Sequence, residues 1–205
     1  PMDEQTLTAL LRQVRDGGMQ IPEAVDRLRR LEVEVLASAR LDHHRALRTG
    51  LPEAVFGENK SADQLVEILA ALLRTDSVVL ATRVDADKAA AVRARLAGLA
   101  YHPAARILTG NDRHIPVGRA SGTVVIVTAG TSDLPVAEEA RITLHMFGHP
   151  VETVYDAGVA GIHRILAHSA LLQQGRVSIV VAGMECALPS ELSRMDGAAG
   201  IAVPT

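Results

Sequence analysis

Apolar residues follow two rhythms along this chain. Short continuous runs, such as SVVLATRV (77–84) and TVVIVTA (123–129), alternate with longer stretches whose apolar residues fall three or four apart. The runs have the length and β-branched content of buried strands, and the spaced stretches have the period of amphipathic helices. Two helices are predicted first, over 3–16 and 22–36. Leu7, Leu10, Leu11 and Val14 form one stripe, Val25, Leu28 and Leu31 the other, with Gly17, Gly18 and Pro22 between them. The stripes are expected to pack on another helix or subunit. PEAVFGENK (52–60) reads as a short strand and turn. Ser61 then caps a helix through Leu73, with Gln64 at the capping-box position. SVVLATRV is a strand, 87–97 a helix, and AYHPAARILTG (100–110) a strand interrupted by Pro103. This order indicates a small α/β unit.

The stretch 109–122, TGNDRHIPVGRASG, has no period and is rich in Gly, Pro and polar residues. It divides the chain into a helical and small α/β region over 1–110, a linker at 111–122 and a second domain over 123–205. In the second domain, strands are expected at 123–129, 151–155, 177–182 and 199–203, and helices at 135–147, 160–173 and 187–195. Continuously apolar strands alternating with helices imply a parallel sheet covered on both faces.

Composition narrows the function. The chain has 205 residues, 48% of them hydrophobic, but only two Phe, two Tyr and no Trp, so its core is aliphatic. A net charge of −3 with so few aromatics argues against nucleic acid as a partner. One cysteine cannot form an intrachain disulfide and fits a reducing compartment. No apolar run is long enough for a membrane span, and no signal-peptide pattern opens the chain. A cytoplasmic protein without membrane or nucleic-acid partners is expected.

Parallel sheets bind ligands beyond the carboxyl ends of their strands. Three loops occupy such positions: AGTSD (129–133), YDAGVAGIHR (155–164) and AGMECALPS (182–190). Gly130 and Gly183 admit close approach of a ligand, and free N–H groups at helix starts attract anions. Thr131 and Ser132 can donate to phosphate, and Asp133 can accept from a ribose hydroxyl. The plainer alternative is that Ser132 and Asp133 only cap a helix. His163 can carry a proton near neutral pH, Arg164 can hold an anion, and Asp156 can orient either. The pair His163 and Arg164 would otherwise simply sit on an exposed first turn. Glu185 and Cys186 stand in the third loop. A cysteine at a helix start can be a nucleophile, though a lone cysteine is more often inert packing.

VVIVTAGTSDLPVAEEA, VYDAGVAGIHRIL and IVVAGMECALPS with IAVPT resemble the LarB family of nickel-pincer cofactor biosynthesis proteins, as does ARLDHHRALRTGLPEAVFGENKSADQLVEI. GTSDLPVAEEA and GIHR are also similar to loops of the purine-pathway carboxylase PurE. The resemblance implies a PurE-like three-layer parallel sheet preceded by the small α/β region and N-terminal helices, in a homo-oligomer. It implies carboxylation of the pyridinium ring of nicotinic acid adenine dinucleotide, with carbon dioxide as co-substrate and no covalently bound cofactor. The phosphoanhydride is hydrolysed, giving pyridinium-3,5-dicarboxylate mononucleotide and AMP. Thr131, Ser132 and Asp133, with Gly130, Gly183 and Met184, would bind the mononucleotide half. Gly158, Gly161 and Arg164 would line the anion path, and His163, Asp156 and Glu185 would serve the chemistry. Asp42, His43, His44, Arg45 and Lys60 would come from the N-terminal region. A divalent cation such as Mg at the pyrophosphate would offset charge in the hydrolysis. The sequence shows no ligand cluster for it. The family's nucleophilic cysteine falls beyond IAVPT, and Cys186 stands where many relatives carry glycine. The chain is therefore expected to be C-terminally incomplete, with Cys186 a secondary candidate for the nucleophile. Two other readings remain open: a PurE-type aminoimidazole ribonucleotide mutase, and a nucleotide-binding or assembly protein with no chemistry.

Overall fold

The computed structural model of the chain describes residues 4–29, 34–35, 40–42, 45, 49–118, 120–183, 187–195 and 198–205. It divides into two compact units: Pro1–Ala100 with Leu108–His114, and Tyr101–Ile107 with Ile115–Thr205.

The first unit begins with α1 (Glu4–Arg15) and α2 (Ile21–Arg29). They pack on each other through Leu10, Met19 and Ala24, flanked by Val14. The second helix is shorter than the expected 22–36. Glu34–Val35 is instead strand β1, paired antiparallel with β2 (Arg40–Leu41). In LEVEV, alternation of apolar and charged residues overrides the helical spacing seen upstream.

A four-stranded sheet follows, in the order β3 (Val55–Phe56), β4 (Val79–Thr82), β6 (Ile107–Gly110), β5 (Leu99–His102). β3 and β4 are parallel, whereas β4 and β6 are antiparallel. Helix α3 (Ala62–Leu73) starts with the expected capping box. The Gln64 N–H donates to Ser61 Oγ at 3.2 Å, and the Ser61 N–H donates to Gln64 Oε1 at 3.0 Å. Helix α4 (Ala86–Arg93) is capped by Asp85 and ends short of the expected residue 97. AYHPAARILTG is two strands rather than one interrupted strand, because residues 103–106 form a turn. Asn111, in left-handed backbone at φ 59°, sends its amide to the carbonyls of Leu73, Thr75 and Ser77 at 3.0–3.3 Å. The start of the expected linker is thus tied to the α3–β4 connection.

The second unit is the expected α/β arrangement. Strands β7 (Val124–Thr128), β8 (Val151–Val154), β9 (Val177–Ala182) and β10 (Ala199–Pro204) form a parallel sheet in the order β10-β9-β7-β8. Alternate residues of β7 enter different cores. Ile126 joins Val181 and Ala137 beneath α5 (Leu134–Met146). Val125 and Val127 join Ile165, Leu172, Leu188 and Leu192 on the opposite face. Those residues come from α6 (Ile162–Leu166), α7 (Ser169–Gln174) and α8 (Ala187–Met195). The expected single helix over 160–173 is thus broken at Ala167 and His168, and both pieces reach one core. Among the described residues, no helix is long and apolar enough to cross a membrane.

Candidate functional site

The carboxyl ends of β7, β8, β9 and β10 lie along one edge of the second unit's sheet, because all four strands run parallel. At β7 the buried Thr128 ends an otherwise apolar strand and serves the next loop with both oxygens. The Asp156 N–H donates to its Oγ1 at 3.0 Å, and the Ala157 N–H donates to its carbonyl at 2.9 Å. These bonds hold Asp156 in left-handed backbone at φ 55°, which Asp tolerates better than most residues. The Asp156 carboxylate accepts from Arg164 Nη1 at 2.7 Å. Both side chains are about half exposed, at 53% and 42%. Such a pair adds at most about 1 kcal/mol, so its effect is to orient the guanidinium rather than to hold the fold. A Cβ at Gly161 would lie 2.6 Å from Arg164 Nε, so the absent side chain leaves the guanidinium its place. His163 is exposed in the first turn of α6.

The AGTSD loop is a single 3₁₀ turn, Thr131–Asp133, leading into α5. Thr131 and Ser132 are exposed, and Asp133 is buried to 4% exposure. Its Oδ2 accepts from the Gly130 N–H at 2.9 Å and its Oδ1 from the Thr205 hydroxyl at 2.7 Å. Asp133 therefore organises the turn from within, and its side chain neither caps α5, as the plainer alternative expected, nor is left exposed for a ribose hydroxyl. A Cβ at Gly130 would make only ordinary contacts, at 3.8 Å, so internal packing does not demand glycine there. Met184, Glu185 and Cys186 lie outside the described residues, as do His43 and His44. Asp42, Arg45 and Lys60 belong to the first unit. The Asp42 N–H donates to Glu53 Oε2 at 3.1 Å, and the Arg45 N–H to the Asp42 carbonyl. Among the described residues, no three His, Cys, Asp or Glu side chains gather as a metal site.

Sequence reasoning did not single out a polar cluster on α5. Arg141 donates to both Glu138 oxygens at 2.8–3.1 Å, and the Tyr155 hydroxyl donates to Glu138 Oε1. The only sequence signal was Glu138 and Arg141 at i, i+3. The Arg141 hydrogen bonds hold the Glu138 carboxyl below its usual range against the opposing effect of burial, and the Tyr155 hydroxyl adds to the lowering. Burial, then the bond to Glu138, pushes the Tyr155 phenol up to about 12. A carboxyl lowered in the fold contributes stability above its unfolded value and loses it as pH falls through the folded one. Glu138→Gln is expected to lower the melting temperature by about 2–4 °C near pH 7, for about 1 kcal/mol. The gap between variant and wild type should close as pH falls below about 4. Thermal melts across pH check this; a gap that does not change with pH would remove the charge from the account.

The edge carries groups of the kind an anionic ligand requires: an arginine aligned by a carboxylate, two exposed hydroxyls, and an imidazole next to the arginine in sequence. Residues 33–112 match the profile of the LarB/PurE-like N-terminal domain. Over 209 residues the chain is 34% identical to an uncharacterized protein of Methanocaldococcus jannaschii, a match spanning 98% of this chain and 81% of that relative.

Proposed function

The chain belongs to the LarB-like family, and from that premise we propose that it carboxylates the pyridinium ring of nicotinic acid adenine dinucleotide and hydrolyses its phosphoanhydride. The products are pyridinium-3,5-dicarboxylate mononucleotide and AMP. The observation that supports this reading is the Asp156–Arg164 pair at the sheet's carboxyl edge, in a loop that Thr128 ties to the strand leading into the Gly130–Asp133 turn.

A pyridinium ring is electron-poor and does not attack carbon dioxide. Addition of a thiolate, for which Cys186 is the candidate within this sequence, converts it to a neutral dihydropyridine with an enamine carbon. That carbon bonds to carbon dioxide, a base takes the proton from the same carbon, and expulsion of the thiolate restores the aromatic cation. Water then cleaves the bond between the two phosphates, releasing AMP. The ring is its own electron sink, so the protein's part is to orient, exclude water and move protons. In this scheme Thr131 and Ser132 hold phosphate or ribose, Arg164 with Gly158 and Gly161 forms the anion path, and His163 moves protons. Arg164 offsets part of the phosphate charge in this scheme, and a divalent cation such as Mg at the pyrophosphate would offset more.

Purified protein incubated with the dinucleotide and bicarbonate is expected to release AMP and a carboxylated mononucleotide, read by chromatography and mass spectrometry. Binding of the dinucleotide without either product would replace the reading with that of a nucleotide-binding protein.

A further inference from the structure

Asp133 needs two donors because it is buried, at 4% exposure, and a buried carboxylate without partners is costly. One donor, the Gly130 N–H, is three residues away in the same turn. The other, the Thr205 hydroxyl, is 72 residues away at the carboxyl end of β10. The same hydroxyl lies where Gly183 leaves room, since a Cβ there would come within 3.2 Å of Thr205 Oγ1. β7, β9 and β10 therefore meet at one point: the turn after β7, the glycine after β9 and the threonine after β10. The Ala129 N–H closes the same corner by donating to the Val181 carbonyl of β9 at 3.1 Å. Asp133 is also the last residue of the turn that presents Thr131 and Ser132, so rotation of its carboxylate would release the Gly130 N–H and let the turn shift.

We propose that Thr205 is a positioning residue of the nucleotide site, holding the Asp133 carboxylate and through it the Gly130–Asp133 turn in its ligand-binding form. The nucleotide part of this proposal rests on the functional reading above. A valine at 205 keeps the shape and removes the donor, whereas a serine keeps the donor. Thr205→Val is expected to raise KM for the dinucleotide about tenfold, the size of one charge-assisted hydrogen bond, with a much smaller change in kcat. Thr205→Ser should restore KM to within about threefold of wild type, because the donor returns. Amide exchange gives a second readout that needs no substrate. The Gly130 N–H should exchange faster in Thr205→Val while the Val125 N–H inside β7 is unchanged, and serine should reverse the effect. A valine variant with a lower melting temperature but unchanged KM and Gly130 exchange would overturn the proposal. So would a serine variant as impaired as the valine. Failure of the wild-type protein to act on the dinucleotide would sink the functional reading instead, and Gly130 exchange alone would then decide whether Thr205 positions the turn.

Discussion

His163→Asn is expected to lower turnover by about 10²–10⁴-fold, the usual contribution of a positioned general acid or base. Three features support an effect on rate rather than on folding. His163 is exposed in the first turn of a five-residue helix, so its loss leaves no buried group unpaired. It directly precedes Arg164, whose guanidinium is fixed by Asp156 at 2.7 Å, so the helix start is already oriented without the imidazole. The proposed reaction must remove a ring proton after the new carbon–carbon bond forms, and histidine is the side chain suited to that near neutral pH. Asparagine keeps a polar group of similar size but cannot accept the proton. The variant should melt within about 1 °C of wild type, as surface changes usually do. It should bind the dinucleotide with nearly unchanged affinity and lose the imidazole's contribution to the pH–rate profile. Single-turnover kinetics across pH measure this. An unchanged rate would remove His163 from the chemistry and leave it a surface residue.

What could be read from the sequence, and what could not, follows the distance over which each feature is made. The Ser61–Gln64 capping box was legible because both bonds span three residues. The parallel sheet was legible because VVIV (124–127) is apolar at every position, which only a strand covered on both faces requires. The loops at its carboxyl edge follow from that alternation. Local pattern failed where a competing period intervened, as in LEVEV, or where a helix changed direction, as at Ala167 and His168. It also failed where one side chain serves a distant segment. Asn111 bonds to carbonyls 34–38 residues away, Thr128 bonds to a loop 28 residues on, and Glu138 meets Tyr155 across 17. No spacing rule connects such pairs, because tertiary packing alone brings them together. Asp133 falls between the two cases. Its bond to Gly130 is as local as a helix cap, though it points back into the turn rather than onto the helix expected, and its bond to Thr205 is not local at all.

Gly158→Ala tests whether the spacing between the two principal loops sets activity. An added Cβ would lie 2.8 Å from the Ala129 carbonyl oxygen and 3.6 Å from its carbon. These are backbone atoms, so no rotamer change relieves the contact. The strand below is anchored as well, since the Ala129 N–H donates to Val181 and Thr128 receives both Asp156 and Ala157. The methyl group must therefore push apart the segment carrying Asp156, His163 and Arg164 and the segment carrying Thr131 and Ser132. Overpacking of this kind costs about 1–3 kcal/mol, which at about 2–4 °C per kcal/mol is measurable but leaves a folded protein. Catalysis is more sensitive, because a displacement of about 1 Å can cost about 10²-fold. The expected result is a kcat/KM lowered by about 10²-fold in a protein that melts only a few degrees early. Gly130→Ala is the matched control, because its Cβ would meet only Asp133 and Ser132 oxygens at 3.8 Å. It should melt like wild type, so any loss of dinucleotide affinity would report the ligand's own approach to the backbone. If Gly158→Ala destabilises the protein yet turns over like wild type, the two loops do not form one site, and the catalytic reading of this edge fails.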